Sequence, residues 1–184
     1  MSYQASESGR KRYARLAARL RVPTGFVVAA LFAALARPSP ASLLAGLPLA
    51  FAGLALRAWA AGHLEKNQTL AATGPFAYTR NPLYLGTLTV AAGFALAARN
   101  LWLAVLFALY FGLAYLPAIS EEESHLRQIF PGYEEYATQV PRLVPRLASA
   151  KPPGAFRWAL YLRNREYQAL LGYLAGAAWL LWRL

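Results

Sequence analysis

The sequence contains no cysteine, one methionine and two histidines, and only 8 of its 184 residues are acidic. Without cysteine the chain has no disulfide, no thiolate nucleophile and no Cys-based metal site, and no metal is expected. Acidic residues are outnumbered by 19 Lys and Arg, giving a formal net charge of +11. A basic nucleic-acid binder would spread such an excess over one surface. Here the cations bracket apolar runs, which fits contact with anionic lipid headgroups and no nucleic-acid partner. Charge is scarce overall, at 15% against 58% hydrophobic residues. A soluble domain carries more charge and less apolar material, so the expectation is an integral membrane protein, a single all-α bundle over residues 1–184.

In chain order, residues 1–21 are basic (Arg10, Lys11, Arg12, Arg15, Arg19, Arg21) and read as an interfacial helix on the cytoplasmic side. Thr24–Ala36 is a short apolar run that flanking arginines can extend. Pro38-Ser39-Pro40 turns the chain, and Ala41–Ala60 returns across the membrane with Arg57 near its inner end, where it should face headgroups or a polar pocket. Pro82 suits the first turn of a helix running to about Ala98. Leu101–Ser120 crosses back, with a kink expected at Pro117 from the freed Leu113 carbonyl. The pattern can continue as helix to about Phe130, break at Pro131-Gly132 and form one more turn over Tyr133–Gln139. A linker, residues 148–154, precedes a final span from Tyr167 to Leu181. Five transmembrane helices with the N-terminus inside satisfy the Lys/Arg asymmetry. This places the loop 62–81 and the region 121–165 together on the cytoplasmic face of what is expected to be a prokaryotic inner membrane.

Two polar stretches, far apart in sequence, would then share one membrane surface. Arg80 offers a planar fork for a carboxylate or phosphate. Glu122 and Glu123 offer sites for an ammonium group or ribose hydroxyls, and Glu123 could instead pair with Arg127 on the helix surface. Tyr78, Tyr84, Tyr133 and Tyr136 present aromatic faces suited to an adenine or a sulfonium cation, or to anchoring at the membrane interface.

These residues fall into two motifs. The first is Thr73-Gly74-Pro75-Phe76-x-Tyr78-x-Arg80-Asn81-Pro82-x-Tyr84-x-Gly86. The second combines Glu122-Glu123-Ser124-His125-Leu126 with Phe130-Pro131-Gly132-Tyr133, Tyr136 and Val140-Pro141. In this order, separated by one transmembrane hairpin, they resemble the isoprenylcysteine carboxyl methyltransferase and phospholipid methyltransferase-like membrane enzymes. The resemblance covers residues 62–146. Asn81 stands where that family's motif usually has His, and Phe76 where Tyr is frequent.

The resemblance implies an S-adenosylmethionine-dependent membrane methyltransferase whose cofactor site lies at the cytosolic surface and whose lipophilic substrate enters from the bilayer. The cofactor-binding residues it implies are Gly74, Tyr78, Asn81, Pro82, Tyr84, Gly86, Glu122, Glu123, Tyr133 and Tyr136. Arg80, Glu122 and Arg142 are the expected catalytic groups, with membrane lipids as surroundings and no obligate protein partner. A carboxylate acceptor needs an orienting cation, Arg80 or Arg142. An amine or thiol acceptor needs a base, for which Glu122, His125 or His63 is available. Two other readings are an NADPH-dependent reductase of the sterol-reductase type, which shares an R-x-P-x-Y-x-G segment, and a non-catalytic membrane scaffold or sensor. The absence of a Gly-x-Gly-x-Gly turn after a strand is consistent with an all-helical cofactor site.

Overall fold

The computed structural model describes residues 23–146 and 154–184. The expected interfacial helix at 1–21 and most of the expected linker lie outside the described residues. Helix α1 is Pro23–Leu35, α2 is Pro40–Ala61 and α3 is Pro82–Ala98. A single long helix, α4, spans Leu101–Ile129. It is followed by α5 (Tyr133–Gln139), α6 (Trp158–Arg163) and α7 (Tyr167–Trp182). Among the described residues there is no strand.

The elements begin where local chemistry dictates. Ser39 caps α2 by accepting from the Ser42 N–H, while the Ser42 hydroxyl accepts from the Ser39 N–H, and Pro40 opens the first turn. Asn100 caps α4 by accepting from the Trp102 N–H at 2.9 Å. Its amide also donates to the Leu35 carbonyl, which ties α4 to the end of α1. Arg183 donates to the Ala36 carbonyl at the same end. Two helices, α2 and α4, are long and apolar enough to cross a membrane, covering roughly 33 Å and 43 Å at 1.5 Å per residue. The exterior is apolar: Phe26, Leu44, Leu101, Trp102 and Trp182 are each more than 70% exposed. An aqueous protein would rarely present so much contiguous apolar surface.

Helices α2 and α3 pack as one unit because small residues meet along the seam. A Cβ on Gly93 would fall 2.3 Å from the Ala50 backbone nitrogen, and one on Gly46 would fall 2.4 Å from that of Ala97. Such contacts let backbones touch where lipid offers no hydrophobic drive for association. Gly93→Leu should therefore force the pair apart and cost about 3 kcal/mol, the upper range of overpacking penalties. Heating the detergent-solubilised variant and reading the fraction that stays monodisperse checks this; an unchanged profile would mean the seam yields easily.

The expected perturbation at Pro117 takes a specific form. Phe111–Tyr115 forms a π-helical turn, in which the Leu116 N–H donates to the Phe111 carbonyl five residues back. The one-residue widening absorbs the proline, and α4 continues unbroken to Ile129. The helix thereby carries Glu122 and Glu123 beyond the bundle's apolar body. The turn also brings Tyr115 against the Tyr84 ring, at a centroid distance of 5.9 Å. Helix α6, in the stretch expected to be linker and flank, is an addition that the sequence reading did not anticipate.

Candidate functional site

At the end of the bundle away from Arg37, Arg99 and Arg183 lies a cavity of about 610 Å³. It is lined from the loop 62–81, the start of α3, the extended end of α4, helix α5 and the turn between α6 and α7. Its size falls in the range that small-molecule and cofactor sites occupy, roughly 300–1,000 Å³.

The two motifs meet on one wall. Glu123 is buried, and it sits between Arg80 (Nε to Oε1 3.5 Å) and Arg142 (Nε to Oε2 3.3 Å). Asn81 Nδ2 donates to Glu123 Oε1 at 3.1 Å and to the Arg142 carbonyl at 3.0 Å. Both partners are acceptors, so the amide with its two N–H bonds serves them together. A neutral imidazole, with one N–H, could serve only one. The backbone completes the splice, with the Arg80 N–H donating to the Pro141 carbonyl at 2.9 Å and the Arg146 N–H to the Tyr78 carbonyl at 3.0 Å. Thr79 adds a hydroxyl donation to the Arg142 carbonyl. The Val140-Pro141 segment is thus the part of the second motif that grips the first.

This clamp sorts the expected site residues. Arg80, Asn81, Pro82, Tyr84, Glu122, Tyr133 and Tyr136 line the cavity. Glu122 accepts from the Tyr84 hydroxyl at 2.9 Å, joining α3 to α4 across the cavity wall. Glu123 and Arg142 stand behind that wall, with Arg142 also donating to the Ser120 hydroxyl. The surface pairing of Glu123 with Arg127 does not form: Glu123 is buried, and Arg127 pairs with Glu134 at 2.8 Å. Gly74, Tyr78 and Gly86 do not line the cavity. Gly74 adopts φ +57° against the His63 ring, which a Cβ would meet at 2.6 Å. Tyr78 packs on Trp59, and Gly86 faces Gly53 and Arg57 in the α2–α3 seam. Of the two histidines, His125 is exposed and away from the cavity. His63 has Nδ1 2.9 Å from the Trp59 carbonyl and Nε2 2.8 Å from the Gly154 carbonyl. Neither is placed to act as a base in the cavity.

Tyr133 and Tyr136 pack edge to face at 6.0 Å beneath the clamp. Burial, then the Glu123 charge, pushes the Tyr133 phenol up to about 12. Burial is also the main cause of an upward shift at Tyr136, whose hydroxyl donates to the Phe76 carbonyl at 2.7 Å. Both are therefore neutral at physiological pH and present aromatic faces and not phenolates.

The opposite wall was not foreseen. Arg57, from α2, donates to both carboxylate oxygens of the buried Glu166 and to the Thr87 hydroxyl. Arg163, Asn164, Arg165 and Glu166 all line the cavity. The available signal was a pair of lone charges: Arg57 is the only charged residue in α2, and Glu166 the only acid after residue 147. Among the described residues no group of three or more His, Cys, Asp or Glu clusters to hold a metal.

The phospholipid methyltransferase family matches residues 49–132. Among curated proteins, the chain is 32% identical over 121 residues to the cobalt-zinc-cadmium resistance protein CzcN of Cupriavidus metallidurans, covering 65% of this chain and 54% of that one. It is 33% identical over 94 residues to the nickel-cobalt-cadmium resistance protein NccN of Alcaligenes xylosoxydans xylosoxydans, covering 50% of this chain and 44% of that one. The chain thus spans about half the length of these relatives. No solved structure matches. The matched segment contains the α2–α3 seam, the whole first motif and the Glu122-Glu123 pair, and over these residues the chain is similar to the phospholipid methyltransferase family.

Proposed function

We propose that this protein is an integral membrane methyltransferase that uses S-adenosylmethionine to methylate a membrane-embedded acceptor at the cytoplasmic surface. The observation that carries the reading is the cavity itself, where the first motif, inside a segment of phospholipid methyltransferase type, meets the second, which starts in that segment and runs beyond it. The donor set fits the cofactor. Glu122 supplies carboxylate oxygens for an ammonium group or ribose hydroxyls, and Arg80 supplies a guanidinium for a carboxylate. Tyr84, Tyr115, Tyr133 and Tyr136 supply ring faces for an adenine or a sulfonium. When bound, the cofactor supplies an electrophilic methyl group on a sulfonium. The chain's own task is then alignment and exclusion of water. Arg80 is held beside Glu123 as an ion pair and its backbone is bonded to Pro141, which keeps the guanidinium at the cavity wall. Helix α5 and the α6–α7 turn shield the cavity on two sides. Five spans with the N-terminus inside put the cavity in the cytoplasmic headgroup region, motivated by the cation asymmetry and the apolar exterior.

Calorimetry on the purified protein tests the cofactor directly, with S-adenosylmethionine expected to bind and NADPH not. Glu122→Gln should weaken S-adenosylmethionine roughly 10- to 150-fold, the worth of a charge-assisted hydrogen bond, at unchanged thermal stability. Binding of NADPH alone, or of neither, would overturn the assignment. Since the relatives' names concern metal resistance, the acceptor is best sought with methyl-labelled cofactor in lipid extracts from cells grown with and without cobalt, zinc and cadmium.

A further inference from the structure

Beyond the family segment, the turn joining α6 to α7 forms part of the cavity, and its composition is unusual. Arg163 and Arg165 are exposed on the cavity lining beside Lys66, and none of the three has an acidic partner among the described residues. They are brought together by a specific anchor. Asn164 Nδ2 donates to the Ala61 and Leu64 carbonyls, both at 2.9 Å, docking the turn onto the end of α2. Arg157 pairs with Glu65, and its N–H donates to the Gly62 carbonyl, fixing the preceding residues to the same loop. Glu166 closes the arrangement from the other side through Arg57.

The backbone at the turn is left-handed. Arg165 adopts φ +54° and Asn67, also on the cavity lining, φ +60°. The left-handed region suits Gly or Asn, and an arginine there carries a cost on the order of 1 kcal/mol. Arg99 takes the same conformation as the C-cap of α3, so the left-handed turn after α6 is a helix ending whose side chain happens to fall on the cavity lining.

A third feature concerns the ligand's other end. An apolar groove of about 440 Å³ lies among α1, α3, α4 and α7, lined by residues including Phe32, Val90, Phe94, Phe107 and Trp179. Thr87 lines both the groove and the polar cavity, so the two spaces share one wall there, where Arg57 also donates to the Thr87 hydroxyl.

We propose that Lys66, Arg163 and Arg165 form an anion subsite for the headgroup of an amphiphile whose chain lies in the apolar groove beyond Thr87. This deepens the methyltransferase reading by assigning the acceptor's charge to Lys66, inside the matched segment, together with the α6–α7 turn beyond it. Glu122 and Tyr84 mark the wall left for the cofactor. The cationic turn recognises anionic oxygens, with arginine forks suited to phosphate or carboxylate.

Binding of dodecyl phosphate to the full-length protein in neutral maltoside detergent at low salt tests this, with inorganic phosphate and dodecyltrimethylammonium as comparison probes. Dodecyl phosphate should bind at least tenfold more tightly than inorganic phosphate, and the ammonium probe should not compete. The combined Lys66→Gln, Arg163→Gln and Arg165→Gln variant should lose roughly tenfold or more, whereas Arg146→Gln, a cation outside the cavity, should change binding less than twofold. Arg165→Gly should weaken binding while keeping or raising thermal stability, since it relieves the left-handed backbone. Equal losses in the Arg146 control, or no loss in the combined variant, would overturn the subsite. Equal affinity for dodecyl and inorganic phosphate would overturn the amphiphile. Binding of S-adenosylmethionine is read separately: its absence beside intact dodecyl phosphate binding removes the methyltransferase reading and leaves the subsite standing.

Discussion

Glu123→Gln is expected to cost about 3–5 kcal/mol of stability, the penalty for removing one partner from a buried ion cluster. The reason is geometric. Glu123 is 5% exposed and stands between two guanidinium groups while also accepting from Asn81. An amide at this position could still accept one hydrogen bond, but Arg80, largely buried itself, would keep its charge with no counter-ion. Arg142, 39% exposed, would lose less because water reaches it. The variant should aggregate at markedly lower temperature than wild type in the same detergent. The neighbouring Glu122→Gln, whose carboxylate faces the cavity, should unfold with wild type. A double-mutant cycle separates the contributions, since Arg142→Gln should be milder in the Glu123→Gln background than alone. If Glu123→Gln were as stable as wild type and only cofactor affinity fell, the carboxylate would have to contact the cofactor directly, and the clamp would be incidental.

Adjacent identical residues thus take different roles, and the sequence alone could not separate them. Successive helical positions point about 100° apart, so one of Glu122 and Glu123 faces the cavity while the other turns toward the 142 segment. Which is which depends on the helical phase of α4, and that phase is set by the π turn at Phe111–Tyr115. A proline in an apolar run announces a perturbation but not its form. Pro117 perturbs the helix as expected, and the perturbation takes the form of a π turn at Phe111–Tyr115 with the helix continuing to Ile129. By contrast, the helix boundaries at Pro82, Ala98 and Leu101 were legible, because Pro at N1 is a local signal and the break in the apolar run at Arg99-Asn100 needs no tertiary knowledge.

The far wall of the cavity was illegible for a different reason. Recognition rested on motifs within residues 62–146, and Arg163–Glu166 lies beyond them. The charges that mark it form a pair only in three dimensions, across 109 residues of chain. A lone Arg57 in an apolar span predicted a polar environment but not its partner. Gly86 illustrates the converse. It belongs to the first motif, yet its place in the structure is a backbone contact with α2. The motif thus records helix packing as well as cavity chemistry.

Arg80→Lys should retain cofactor affinity within a few-fold and lose about 100-fold or more in turnover. Arg80 lines the cavity, only 13% exposed, at the point where α3 begins. Its Nε lies 3.5 Å from Glu123 as an ion pair, and its main chain is bonded to Pro141, so the side chain starts from a fixed backbone point beside its counter-ion. The remaining nitrogens form a rigid fork able to orient an anionic group on the reacting partners. Lysine keeps the positive charge and can still satisfy Glu123, so the clamp and the fold should survive. What it cannot reproduce is a planar pair of donors at a set angle, because an ammonium that reaches Glu123 leaves no second fixed arm. An in-line displacement is sensitive to misalignment, whereas binding tolerates it, so the loss should appear in turnover. Single-turnover rates at saturating cofactor, set beside calorimetric affinities, distinguish the cases. Parallel losses in affinity and rate would mean that Arg80 grips the cofactor throughout. Wild-type behaviour in both would leave Arg80 as the counter-ion of Glu123 alone, and the orienting cation would then have to come from the α6–α7 turn.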